Sequence, residues 1–120
     1  LDEPETIMRK FGRAVTDSGN EVKASPSKPG ITNLLGIYAA VTGKTVKVAE
    51  KEFSGASYAA FKTAVGEAVV EHLRPIREAY RRYMADKGEL ERIMKSGAEK
   101  AAGIARRTLS KVYRKVGFVI

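Results

Sequence analysis

Residues 58–116, YAAFKTAVGEAVVEHLRPIREAYRRYMADKGELERIMKSGAEKAAGIARRTLSKVYRKV, decide how this chain folds. Up to Tyr83, apolar residues recur at spacings of three and four: Tyr58, Phe61, Val65, Ala68, Val69, His72, Ile76, Ala79, Tyr80 and Tyr83. After Gly88, Leu90, Ile93, Met94, Gly97, Ala101, Ile104, Ala105, Leu109, Val112 and Val116 do the same. That period puts one apolar stripe on each of two long helices. Asp86-Lys87-Gly88 is short enough to fold the second back on the first as an antiparallel hairpin. The hairpin is expected to be both the core and a charged face. Pro75 removes one backbone hydrogen bond and is expected to kink the first helix at Arg74 without ending it, because the apolar pattern resumes at Ile76.

Working outward, Pro4 suits the first turn of an opening helix preceded by Asp2 or Glu3. Ile7, Met8, Phe11, Ala14 and Val15 form its expected buried stripe, and the turn formers Thr16-Asp17-Ser18-Gly19-Asn20 end it. Residues 25–30, SPSKPG, are too rich in Pro, Ser and Gly for regular structure and read either as a disordered connector or as a functional surface loop. A second helix starts near Pro29, buries Ile31, Leu34, Leu35, Tyr38 and Val41, and stops at Gly43. A short third helix, about 46–53, has Thr45 as N-cap and Gly55 as its stop. No alternating run is long enough for a strand. The fold class is therefore all-α, with about five helices in a single domain spanning residues 1–120.

The chain has 120 residues, no cysteine, one histidine and a net charge of +8. Without cysteine there are no disulfides or thiolate metal sites, which fits a reducing compartment. No apolar run approaches the span of a bilayer, so no membrane partner is expected. The chain opens on Leu1 rather than Met, which suggests a piece of a longer protein. Charge is unevenly spread. Residues 1–73 hold 9 Lys and Arg against 9 Asp and Glu, whereas residues 74–120 hold 13 against 5. This asymmetry points either to a polyanionic partner or to a solvated helix face.

No catalytic constellation can be assembled. His72 falls on the apolar stripe and reads as a hydrogen-bonded core histidine rather than a general base. Glu67 and Glu71, flanked by Lys62 and Arg74, read as a solvated ion-pair face. With one His and no Cys, no transition-metal site is expected. The basic residues do better. Arg74, Arg77, Arg81 and Arg82 alternate with Tyr80 and Tyr83, while Arg106, Arg107, Lys111, Arg114 and Lys115 project from the last helix. Arginine forks match phosphate oxygens, and tyrosines either stack on bases or pack in the core.

Ala14-Val15-Thr16-Asp17-Ser18, Pro29-Gly30-Ile31-Thr32-Asn33-Leu34-Leu35-Gly36-Ile37-Tyr38, Leu73-Arg74-Pro75-Ile76-Arg77-Glu78 and Gly97-Ala98-Glu99-Lys100-Ala101 occur in that order. The ordered set resembles the C-terminal helical, anticodon-binding region of bacterial tryptophanyl-tRNA synthetases over nearly the whole chain. In that family a nucleotide-binding catalytic fold comes first, with a histidine–glycine–histidine type motif and a lysine–methionine–serine–lysine–serine loop, neither of which is present here. Leu1 to Ile7 looks like the segment after that loop.

The resemblance implies recognition of the anticodon arm of tRNA(Trp), with no catalytic site and no cofactor in these residues. It implies a cytoplasmic, homodimeric parent that activates tryptophan with ATP and Mg and charges tRNA(Trp), with no DNA partner. Thr16, Asp17 and Ser18 match a segment near the anticodon and are the base-reading candidates. Asp17 can accept from an exocyclic amine, or it can close a turn; both readings stay open. Arg9, Lys10, Arg13, Lys28, Arg77, Arg81, Arg106 and Lys111 are candidates for holding the RNA backbone. Gly19-Asn20 and Ser25-Pro26-Ser27 fall where family members vary. The alternatives are a mechanical module that moves rigidly against the catalytic domain during ATP use, and a generic helical RNA- or protein-binding module.

Overall fold

A computed structural model of the chain describes residues 1–118. Five helices follow one another: α1 (Pro4–Gly12), α2 (Pro29–Thr42), α3 (Val46–Glu52), α4 (Tyr58–Ala85) and α5 (Lys87–Val116). No strand occurs among the described residues, so the all-α expectation holds. By the density of their internal contacts the residues group into two compact units, 1–77 and 78–120.

Local chemistry sets most boundaries in the first unit. Pro4 opens α1, where its missing N–H costs nothing. Gly43 closes α2 at φ 69°, a left-handed conformation that glycine adopts without a Cβ clash. The Thr45 hydroxyl caps α3 by accepting from the Val48 N–H at 3.3 Å, and Ser57 does the same for Ala60 at the start of α4. α1 is shorter than expected. It ends at Gly12, so Ala14 lies beyond the helix and Val15, expected to be buried, is 88% exposed.

The core of this unit gathers Val22, Ile31, Leu34, Leu35, Tyr38, Ala49, Phe61 and Val65. It therefore joins α2, α3 and the first turns of α4, with Val22 inserted from the irregular segment between α1 and α2. Phe53 packs edge-on against Tyr38, with ring centroids 5.0 Å apart, and tilted against Phe61 at 4.8 Å. The Tyr38 hydroxyl donates to Glu52 at 2.8 Å, and Lys44 pairs with the same carboxylate at 2.6 Å. A Cβ at Gly66 would come within 2.8 Å of Met8 Sδ and 3.5 Å of Phe11 Cβ. That glycine lets α1 lie close to α4.

α4 runs unbroken through Pro75, as expected, because only the amide bond to the preceding turn is lost. His72 is exposed, which corrects its assignment to the core. Glu71 and Arg74 form the solvated ion pair predicted, at 2.9 Å.

In the second unit, the Asp86 carboxylate caps α5 by accepting from the Glu89 N–H at 2.9 Å, so α5 starts two residues earlier than Glu89. Gly117 closes it at φ 79°. α5 buries no residue. Of the stripes of residues 58–116, that of α4 joins the core through Phe61 and Val65, whereas the expectation that the α5 stripe is buried is corrected: its apolar residues are exposed.

Candidate nucleic-acid interface

The segment that follows α1 carries the three base-reading candidates, and two contacts hold it in place. The first is between backbones. A Cβ on Gly30 would lie 2.3 Å from the Val15 carbonyl oxygen and 3.3 Å from Thr16 Cα. Gly30, in the first turn of α2, thus opens a slot in which the Val15–Thr16 peptide rests. A side chain there would have to displace main chain, which has no rotamer by which to yield.

The second contact runs through Asp17. Its Oδ1 accepts from the Gly19 N–H at 2.8 Å, closing the two-residue side-chain turn common to Asp and Asn. The Tyr58 hydroxyl, at the first residue of α4, lies 2.9 and 3.1 Å from the two carboxylate oxygens. Lys28 Nζ donates to Tyr58 Oη at 3.3 Å and to the Glu21 carbonyl at 3.0 Å. A phenol has one proton to give, and the charged carboxylate is its strongest acceptor, so the chain of donation runs from Lys28 through Tyr58 to Asp17. Burial alone pushes the Asp17 carboxyl up. The Gly19 N–H, the Tyr58 hydroxyl and the Lys28 charge outweigh that and hold it below its ordinary value. Lys28 is raised, first by its hydrogen bond to Tyr58. Gly19 is required here as well, since a Cβ would fall 2.6 Å from Asp17 Oδ1.

Asp17 therefore closes a turn, which was one of its two open readings. A carboxylate has about four lone-pair sites, so Oδ2 keeps capacity for a further donor. Thr16 is half-buried, and Ser18 is exposed beside it. Arg9, Lys10 and Arg13 are exposed on or just after the last turn of α1, and Lys10 pairs with Asp2 at 2.5 Å. Lys28 is engaged inside the cluster.

In the second unit Arg81, Arg106 and Lys111 are exposed. Tyr80 and Tyr83 are 51% and 39% exposed, with the Arg82 guanidinium 5.1 Å from the Tyr83 ring centre. Core packing is thus not their role in this fold. Arg77 departs from the surface grouping: it is 6% exposed, and its Nε and Nη2 are buried without a hydrogen-bond partner. Its position among arginines in sequence hides this: Arg74 and Arg81, three and four residues away, lie on the same side of α4 and are exposed, so the period gives no sign that Arg77 is covered. An open depression lined by Ala24, Ser25, Pro26, Pro29, Thr32 and Asn33 borders the start of α2, without a residue of the 15–19 turn in its wall.

Known proteins are similar to this chain over its whole length. Tryptophan–tRNA ligase of Clostridium tetani is 43% identical over all 120 residues, and that of Wolinella succinogenes is 44% identical over 119. A crystal structure of tryptophanyl-tRNA synthetase from Mycoplasma pneumoniae superposes with a TM-score of 0.73 at 30% identity over 98% of the chain. The chain is similar, end to end, to the C-terminal helical region of tryptophan–tRNA ligases. It spans 36% of the length of each of these three relatives. No protein-family model matches it. Tyr58 and Gly30 are the members of the turn cluster that sequence reasoning missed. Tyr58 read as the first residue of an apolar stripe, and nothing in its local pattern points to Asp17, 41 residues away.

Proposed function

We propose that this chain binds the anticodon arm of tRNA(Trp) as the C-terminal domain of a tryptophan–tRNA ligase. The full protein would activate tryptophan with ATP and Mg, act as a homodimer, and transfer the amino acid to that tRNA in the cytoplasm. The observation that carries the reading is the pinned turn after α1. RNA sequence is read on splayed, single-stranded bases, and that requires donors and acceptors on a surface that does not rearrange. Thr16, Ser18 and Asp17 Oδ2 supply such groups. Arg9, Lys10 and Arg13 stand beside them as cations for the loop phosphates. Arg81, Arg106 and Lys111 act as phosphate contacts from the second unit, where position along the backbone rather than base identity is sensed. Lys28 acts through Tyr58, and Arg77 is left out of the surface set because it is covered.

The test is binding of an anticodon stem-loop by the full-length protein at several salt concentrations. With about four phosphate contacts, log K falls against log salt with a slope of roughly −3. Equal affinity for a hairpin with a changed anticodon overturns the base-reading role, and salt-independent binding overturns the phosphate role.

A further inference from the structure

The Tyr58 hydroxyl has one proton to give and two acceptors within reach: the Asp17 carboxylate at 2.9 and 3.1 Å, and the Glu21 carbonyl at 3.2 Å. Lys28 decides between them. Its Nζ lies 3.0 Å from the Glu21 carbonyl and 3.3 Å from the phenol oxygen, and an ammonium can only donate. The Glu21 carbonyl also takes the Lys23 N–H at 3.1 Å, so Lys28 fills the second of its lone pairs. The phenol oxygen accepts from Lys28, and its own proton is left to the carboxylate. The two oxygens of Asp17 then differ. Oδ1 takes the Gly19 N–H at 2.8 Å and the nearer approach of Tyr58, whereas of these groups only Tyr58 meets Oδ2, at 3.1 Å.

We propose that Lys28 and Tyr58 are positioning residues for base selection: they fix the Asp17 carboxylate as an acceptor with Oδ2 open, so that the turn takes a base bearing an exocyclic amine and rejects one bearing a carbonyl in its place. This rests on the reading that the turn meets anticodon bases, and adds which residues make it selective and for what chemistry. An ionised carboxylate accepts and never donates. Cytosine N4 and adenine N6 present a donor where uracil and guanine present a carbonyl oxygen. A carbonyl brought against Oδ2 sets two acceptors face to face with no proton between them, and the desolvated pair is penalised. Lys28 is half-buried, unlike the exposed Lys23 five residues before it. Its charge is committed to the cluster, and it acts on the base through Tyr58 and Asp17 rather than by touching phosphate.

The experiment compares, for the full-length protein, anticodon stem-loops that differ only by exchange of cytosine for uracil, or of adenine for hypoxanthine, at one loop position at a time. The expected result is a position at which the unsubstituted protein prefers the amine by about tenfold or more. Asp17→Asn reverses that preference, since its amide can donate to a carbonyl. Tyr58→Phe and Lys28→Met each cut it several-fold, while Lys28→Arg, which keeps the donors, retains it. Melting curves recorded beside the titrations show each variant folded at the binding temperature. An unchanged preference in both Tyr58→Phe and Lys28→Met, with Asp17→Asn still reversing it, overturns the positioning role and leaves base reading intact. Equal weakening of both members of a stem-loop pair by Lys28→Met makes Lys28 a phosphate contact and also overturns it. No preference at any position in the unsubstituted protein is the failure of base reading itself, and this inference falls with it.

Discussion

The Tyr58 hydroxyl reaches both oxygens of the Asp17 carboxylate, at 2.9 and 3.1 Å, and so ties the start of α4 to the turn after α1. Lys28 reaches the same hydroxyl from the residue before α2. Three segments are thereby held by one phenol oxygen. Replacing Tyr58 by Phe removes that link and leaves the aromatic packing. We expect a loss of about 1 kcal/mol in folding stability, faster exchange of the Gly19 amide, and weaker anticodon stem-loop binding. Unchanged Gly19 exchange would show that the turn is held without Tyr58.

The acid limb of stability follows from the same cluster. Asp17 is held below its ordinary value of 3.8, and Glu52 is held below 4.5, first by its hydrogen bond from Lys44 and then by that from Tyr38. A carboxylate with a depressed folded pKa contributes stability that is fully present above the unfolded value and is lost as pH falls through the folded one. Stability is therefore expected to be flat from neutrality to about pH 5 and to decline below about pH 4. Asp17→Asn should be less stable than the parent at neutral pH and should lose less on acidification. Urea midpoints across that range measure it; parallel curves for parent and variant would remove Asp17 from the account.

Gly30→Ala probes the other attachment. Its Cβ would meet the Val15 carbonyl oxygen at 2.3 Å, far inside contact distance, so the Val15–Thr16 segment must leave α2. The expected cost is about 1–3 kcal/mol, with a drop in stem-loop affinity larger than that of an alanine at Gly36, where an added Cβ meets nothing within 4 Å. Equal effects at the two positions would contradict the slot.

Phe61→Ala and Arg77→Met should move stability in opposite directions. Phe61 is wholly buried between α2 and α3 core residues, and its loss leaves a cavity expected to cost about 3–5 kcal/mol. Arg77 holds a charge away from water with Nε and Nη2 unpaired. Replacing it with an apolar side chain of similar length is expected to raise the urea midpoint, by about 1 kcal/mol or more. A lower midpoint for Arg77→Met would mean that the guanidinium has found an acceptor in solution.

By itself the sequence determined what depends on neighbours three or four positions away. Pro4, Gly43, Thr45 and Gly117 mark helix ends because capping and left-handed backbone are local chemistry. The 3.6-residue period announced α4 and α5 and carried α4 through Pro75. The Glu71–Arg74 pair was legible for the same reason. Periodicity shows that a face is apolar, but not what covers it: the stripes of α4 and α5 look alike in sequence, yet Phe61 and Val65 are fully buried while Ile104 is 63% exposed. That Tyr58 pins the Asp17 carboxylate was also beyond the sequence, because the two residues, 41 apart, meet only when α1, α2 and α4 pack. The same packing decided that Val15 points outward and Arg77 inward. Burial and long-range hydrogen bonds belong to the assembled chain, and the candidate site is made of them.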